Sequence, residues 1–197
     1  QMGKRLAESG YAVLVINPFY RSKKAPVLAP GQSFQTPEGR AIVMPLAQQL
    51  NETTHMTDAK AFVAWLDQQP SVAKNRKMGT MGYCMGGPMT FRTAVASDRV
   101  GAVGSFHGGG LVTDMPNSPH TNAAKTKAQF LIAIAENDDM RSPNEKNVLK
   151  DTFKSAAEVE VYGAAHGWCP PDSAVYNEAL AEKAWGRLMV LFNKALA

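Results

Sequence analysis

One of the two cysteines in this 197-residue sequence stands in a turn suited to chemistry, Gly82-Tyr83-Cys84-Met85-Gly86-Gly87. The residues before it, Arg76 to Gly82, read as a strand, and Pro88 to Ala96 read as a helix beginning straight after it. A strand that turns sharply into a helix projects one side chain above its sheet when the residues two before and two after are small, which Gly82 and Gly86 are. The helix start then aims free N–H groups and its positive dipole end at the projecting atom, favouring thiolate over thiol and accepting a developing oxyanion. The other reading of Cys84 is a buried, inert core cysteine beside a tight turn.

A thiolate nucleophile needs a base, and the base needs a group that orients it. Two later segments offer them: Glu136-Asn137-Asp138-Asp139 after the apolar run Ala128 to Ala135, and Gly163-Ala164-Ala165-His166-Gly167-Trp168 after Glu158 to Tyr162. His166 would take the thiol proton and deliver it to a leaving alcohol, while Asp138 fixes its tautomer. Asp139 is the rival acid, and either aspartate also reads as a loop residue capping backbone N–H groups. The turn matches a nucleophile elbow with cysteine for serine, and the chain order nucleophile, acid, base agrees with it. His107-Gly108-Gly109-Gly110 looks like the oxyanion motif of lipases, but that motif lies upstream of the nucleophile and this one downstream. It reads as pocket-wall backbone, with His107 at a strand end where substrate would be within reach. No His, Cys or carboxylate cluster has metal-ligand spacing, and this chemistry calls for no cofactor.

The elements that position these residues alternate. Met2 to Ser9 reads as the tail of a helix stopped by Gly10, and Tyr11 to Asn17 as a strand buried on both faces. Pro18 to Gly39 reads as a long loop of the kind that carries binding residues. Ala59, Phe62, Val63 and Leu66 fall at helical spacing on a segment that Pro70 terminates. Gly101 to Phe106 is a further apolar run, and Ser142-Pro143-Asn144-Glu145 spells a capping box with proline at the first helical position. Leu180, Ala184, Leu188, Leu191, Phe192 and Ala195 mark a final amphipathic helix. The alternation predicts an α/β fold with a doubly wound, mostly parallel sheet.

Composition narrows the function. With 45% hydrophobic and 19% charged residues, the chain has the bulk for one domain over residues 1–197. Lys plus Arg number 21 against 17 Asp plus Glu, and the net charge of +4 is spread thinly, with no basic block for nucleic acid. The longest apolar runs fall far short of the roughly 18 residues of a membrane span. Two cysteines are too few for a disulfide framework, so a reducing, cytoplasmic setting is expected; the chain opens on Gln-Met-Gly-Lys-Arg, and a targeting segment upstream would not be visible.

Taken together, the chain resembles the dienelactone hydrolase family, α/β-hydrolases that open unsaturated lactones with a Cys-His-Asp triad. The resemblance runs along nearly the whole chain and is carried by Leu6-Ala7-Glu8-Ser9-Gly10-Tyr11, Pro18-Phe19-Tyr20-Arg21, the Cys84 turn, Glu136-Asn137-Asp138 and Ala165-His166-Gly167. It implies a triad of Cys84, Asp138 and His166, with the Met85 N–H as half of an oxyanion hole. Counting back from the helix at Asp58, it implies Arg40 as a holder of a substrate carboxylate, although Arg40 also reads as a solvated loop arginine. Tyr20 in the Pro18-Phe19-Tyr20-Arg21 motif and, by position alone, His107 and Trp168 complete the substrate-binding candidates, with Trp168 reading either as an aromatic pocket wall or as a cover over His166. Family members carry a second arginine four residues after the catalytic histidine, where this chain has Pro170, so an uncharged ester becomes plausible as substrate. They also have N-terminal strands before the helix on which this chain opens, one of them central and followed by the loop with the second oxyanion N–H. The chain is therefore expected to be an N-terminally incomplete domain, a fragment of the natural protein, or else to have another segment filling the gap. The expected partner is a small ester or lactone, acted on by a monomer or homodimer. Two alternatives stand beside this: a non-catalytic ligand-binding protein on the same scaffold, and another cysteine-nucleophile amidohydrolase. The glutamine amidotransferases carry a histidine and glutamate two residues apart, whereas His166 is followed by Gly167 and Trp168.

Overall fold

A computed structural model describes residues 1–197. The chain divides into two compact units, 1–55 and 56–197. The first holds α1 (Met2–Glu8), α2 (Pro37–Ala47) and the start of α3 (Glu52–Leu66). Helix α2, which the sequence reading passes over, starts where Thr36 accepts the Gly39 N–H at 3.1 Å and Pro37 supplies a preset φ. Tyr11 to Asn17, expected as a buried strand, forms none, and Val15 is 74% exposed. Its apolar composition suits a strand, but a strand exists only where a neighbour accepts its ladder hydrogen bonds, and this segment has no ladder.

The second unit carries one four-stranded parallel sheet, ordered β1 (Met78–Tyr83), β2 (Val100–Phe106), β3 (Gln129–Ala135) and β4 (Ala157–Tyr162). Between and after the strands run α4 (Gly86–Ala96), α5 (Pro119–Ala123), α6 (Glu136–Arg141), α7 (Glu145–Phe153) and α8 (Glu178–Ala195). The two middle strands are buried nearly throughout and are correspondingly apolar on both faces. Alternation sorts their side chains. Val103, Phe130, Ile132 and Ile134 join Phe91 and Ala94 of α4 and Leu149 and Phe153 of α7 in one core. The Phe91, Phe130 and Phe153 rings meet there at centroid distances of 4.5 to 5.6 Å. On the opposite face Gly104 lies against Leu188 and Gly79 against Phe192, both of α8. Edge strand β4 turns Glu158 and Glu160 to that face, where Arg187 and Lys183 of α8 pair with them. Helices thus cover both faces, the doubly wound arrangement that the alternation predicts.

Two local expectations are corrected. Glu136 to Asp139 is the first turn of α6 rather than a loop, and α7 starts at Glu145 without a side-chain cap from Ser142. Glu145 instead accepts hydrogen bonds from the backbone N–H groups of Val112 and Leu111, while burial raises its carboxyl above the ordinary value. That tertiary use displaces the local capping box.

Candidate active site

Cys84 caps the C-terminal end of β1 with φ at +51°, a left-handed conformation that costs a non-glycine residue free energy and throws its side chain out of the strand. The turn is fixed by close backbone approach. A Cβ on Gly82 would stand 2.5 Å from the Gly86 carbonyl oxygen, and one on Gly87 would stand 2.6 Å from the Gly108 Cα. A Cβ on Gly86 would meet nothing within 4 Å. The need for small residues therefore falls on Gly82 and Gly87, not on Gly82 and Gly86, and Gly108 of the His-Gly-Gly-Gly segment is what presses on the helix start.

The base and acid come from the adjacent strand ends. His166, in the loop after β4, places Nδ1 2.6 Å from Asp138 Oδ2, and Asn137 Oδ1 accepts the His166 backbone N–H at 2.8 Å. Asp138 and Asn137 sit together because α6 begins directly on the end of β3, and the Glu136 N–H donates to the Ala164 carbonyl at 3.0 Å to hold the two loops together. Asp139 instead receives Lys146 at 2.6 Å. Of the two rivals it is Asp138 that faces the histidine. Asn137 is a contact the sequence reading misses, since nothing in its type or spacing distinguishes it from a surface loop residue.

Cys84 and His166 interact, and each shifts the other. The His166 bond, with its positive charge and the Met85 backbone N–H, lowers the Cys84 thiol from its ordinary value against the opposing effect of burial. The bond to Cys84, supported by Asp138, raises His166 to about 9. A thiolate facing an imidazolium is the arrangement these shifts favour. The His166 and Asp138 side chains are 32% and 18% exposed, so the pair is reachable from solvent while its acid is mostly covered. No three His, Cys, Asp or Glu side chains are grouped as a metal site would require.

A model of the dienelactone hydrolase family matches residues 1–196. This chain belongs to that family. Three solved structures share its α/β-hydrolase fold at 20% sequence identity. A candidate dienelactone hydrolase from Klebsiella pneumoniae aligns with a TM-score of 0.67 over 78% of this chain and 66% of its own, so this chain spans just under two thirds of that structure. A dienelactone hydrolase-like promiscuous phosphotriesterase from metagenomic libraries aligns with a TM-score of 0.71 over 98% of this chain and 78% of its own. A third protein, designated m3DLH, aligns with a TM-score of 0.63 over 87% and 73%. The comparison with curated proteins finds no match.

Two further binding candidates, His107 at its strand end and Trp168 after the histidine, are both buried. His107 is 2% exposed and Trp168 has no exposed surface. Their rings pack on each other at 5.1 Å, with Trp168 also stacked on Tyr162 at 5.2 Å. Both rings pack behind the pair, His107 at the end of β2 and Trp168 after β4. Tyr20 and Arg40 belong to the first unit, where the Arg21 guanidinium lies 4.9 Å over the Tyr20 ring and that of Arg40 5.9 Å from the Phe34 ring. No helix is long and apolar enough to cross a membrane.

Proposed function

We propose that this member of the dienelactone hydrolase family hydrolyses carboxylic esters or lactones, with Cys84 as nucleophile, His166 as general base and acid, and Asp138 as the carboxylate that orients His166. The observation that carries the reading is the His166–Asp138 hydrogen bond at 2.6 Å beside Cys84, whose thiol His166 lowers, at the turn from β1 to α4. In the acylation step the Cys84 Sγ attacks the carbonyl carbon and the carbonyl oxygen takes the charge. The Met85 N–H, which bonds the sulfur at rest, would donate a hydrogen bond to that oxyanion. Collapse expels the alkoxide with the proton from His166 and leaves a thioester on Cys84. Water, deprotonated by His166, then attacks the thioester and releases the acid and the thiolate. No cofactor enters these steps.

Asp138 stabilises the imidazolium throughout without taking the proton itself. Arg40 is proposed as the contact for an anionic substrate group and Tyr20 as a further binding residue. A reducing compartment such as the cytoplasm suits a reaction that needs Cys84 free, and a monomer or homodimer acting on a small molecule is the corresponding working unit. The same thiolate would also attack phosphorus, a second reading that the likeness to a promiscuous phosphotriesterase favours. Hydrolysis of a panel of p-nitrophenyl esters, lactones and an aryl dialkyl phosphate tests both readings. Ester turnover abolished by C84A supports the first, phosphotriester turnover alone supports the second, and binding without turnover would leave the scaffold as a ligand-binding protein.

A further inference from the structure

Directly behind the nucleophile lies a histidine that the reaction steps do not use. His107 follows β2, and its ring Nδ1 accepts a hydrogen bond from the Cys84 backbone N–H at 3.2 Å. That N–H also points to the Phe106 carbonyl at 3.1 Å, so the nucleophile's amide is held from two sides. An accepting Nδ1 puts the ring hydrogen on Nε2, which makes no hydrogen bond within the protein. The same ring lies edge-on against His166, with centroids 4.7 Å apart and planes inclined at 61°. One imidazole therefore touches the main chain of the nucleophile and the side chain of the base.

The backbone shows what this contact restrains. Cys84 and His107 both adopt left-handed φ values, +51° and +40°, at the ends of neighbouring strands. Neither is glycine, so each conformation carries a steric cost and persists only where its surroundings impose it. The His107 backbone is anchored by its N–H on the Ala133 carbonyl at 2.7 Å, and its ring by Trp168 at 5.1 Å. We propose that His107 is a positioning residue whose Nδ1 holds the Cys84 main chain while its ring braces His166, so that it sets the separation of nucleophile and base. This rests on the reading of Cys84 and His166 as the reacting pair. Burial supports the role by keeping the ring neutral, its imidazolium pushed down to about 3, so the acceptor is present at every ordinary pH.

The test separates the hydrogen bond from the packing. H107F keeps an aromatic ring and removes the acceptor, whereas H107N keeps an acceptor near the position of Nδ1 and removes the ring. Two quantities are read: kcat and KM for p-nitrophenyl acetate, and the pH midpoint for alkylation of Cys84 by iodoacetamide, which follows the thiolate without any turnover. In H107F the Cys84–His166 bond loosens, so the alkylation midpoint moves up and kcat falls about tenfold with KM little changed, the scale of one lost hydrogen bond. H107N brings the midpoint back toward that of the wild type. A merely structural role would lower thermal stability in both variants and leave the midpoint in place. An unmoved midpoint in H107F, or equal shifts in H107F and H107N, would overturn the proposal. Should H107F not fold, H107L carries the same comparison. If the wild-type protein turns over no ester while the midpoint responds as described, the hydrolase reading fails and the positioning role stands.

Discussion

Replacing Asp138 by asparagine removes a negative charge and leaves shape nearly unchanged, which isolates what the carboxylate does. Its Oδ2 stands 2.6 Å from His166 Nδ1, in a bond that an imidazolium strengthens. Such charge-assisted bonds contribute roughly 1.5 to 3 kcal/mol, so D138N should lower kcat/KM by roughly 10- to 160-fold if the imidazolium forms in the rate-limiting step. His166 should also titrate lower. Because its bond to Cys84 is the larger cause of its raised value, it should settle between the ordinary 6.5 and its present value of about 9 rather than return to 6.5. The control is D139N, which loses only the Lys146 contact at 2.6 Å and should keep activity within about threefold, the change expected away from the reacting pair. Steady-state hydrolysis of p-nitrophenyl acetate gives the rates, and the C2–H resonance of His166 followed by NMR gives the titration. Equal damage from D138N and D139N, or a D138N protein with unaltered rate and histidine titration, would refute the assignment of Asp138.

The coupled shifts also define the pH range of activity. Rate should rise as Cys84 loses its proton below the ordinary thiol value of 9.0, and fall as His166 loses its own near 9, in a pH–rate profile of kcat/KM. Within that range one equivalent of iodoacetamide should label Cys84 alone by peptide mass spectrometry, because burial pushes the Cys169 thiol up to about 12; modification of Cys169 at neutral pH would contradict its placement. In thermal unfolding, G82A should lose roughly 1 to 3 kcal/mol, since its new Cβ would meet rigid backbone at 2.5 Å. G86A, facing open space at the first helical position, should be neutral or gain up to about 1 kcal/mol. Equal losses at the two glycines would count against the turn geometry.

Much of this arrangement is legible in the residues because its causes are local. The middle strands are apolar runs between turn residues, the last helix keeps a strict apolar face, and the elbow announces itself by glycines around a cysteine. The order of Cys84, Asp138 and His166 along the chain then points to the ends of β3 and β4, where the structure has Asp138 in the first turn of α6 and His166 in the loop after β4. What stays hidden depends on partners. Tyr11 to Asn17 has the composition of a buried strand, yet strand formation is a property of a pair and not of one segment. Ser142 to Glu145 has the letters of a capping box, but Glu145 is drawn to the Leu111 and Val112 amides from another part of the chain. His107 reads as a pocket residue from its strand end, and Trp168 as either a pocket wall or a cover; only packing reveals that both are buried.

The left-handed backbone at Cys84 has a consequence for how this protein tolerates change. Glycine would adopt φ of +51° with no steric penalty, so of all residues at this position it is the one that relaxes the turn. A library of variants at position 84 sorted for folding alone, with reactivity unscored, should therefore enrich glycine over cysteine, while sorting for turnover should restore cysteine. Robustness and reactivity pull this one site in opposite directions, and the residue found there records which of the two has prevailed.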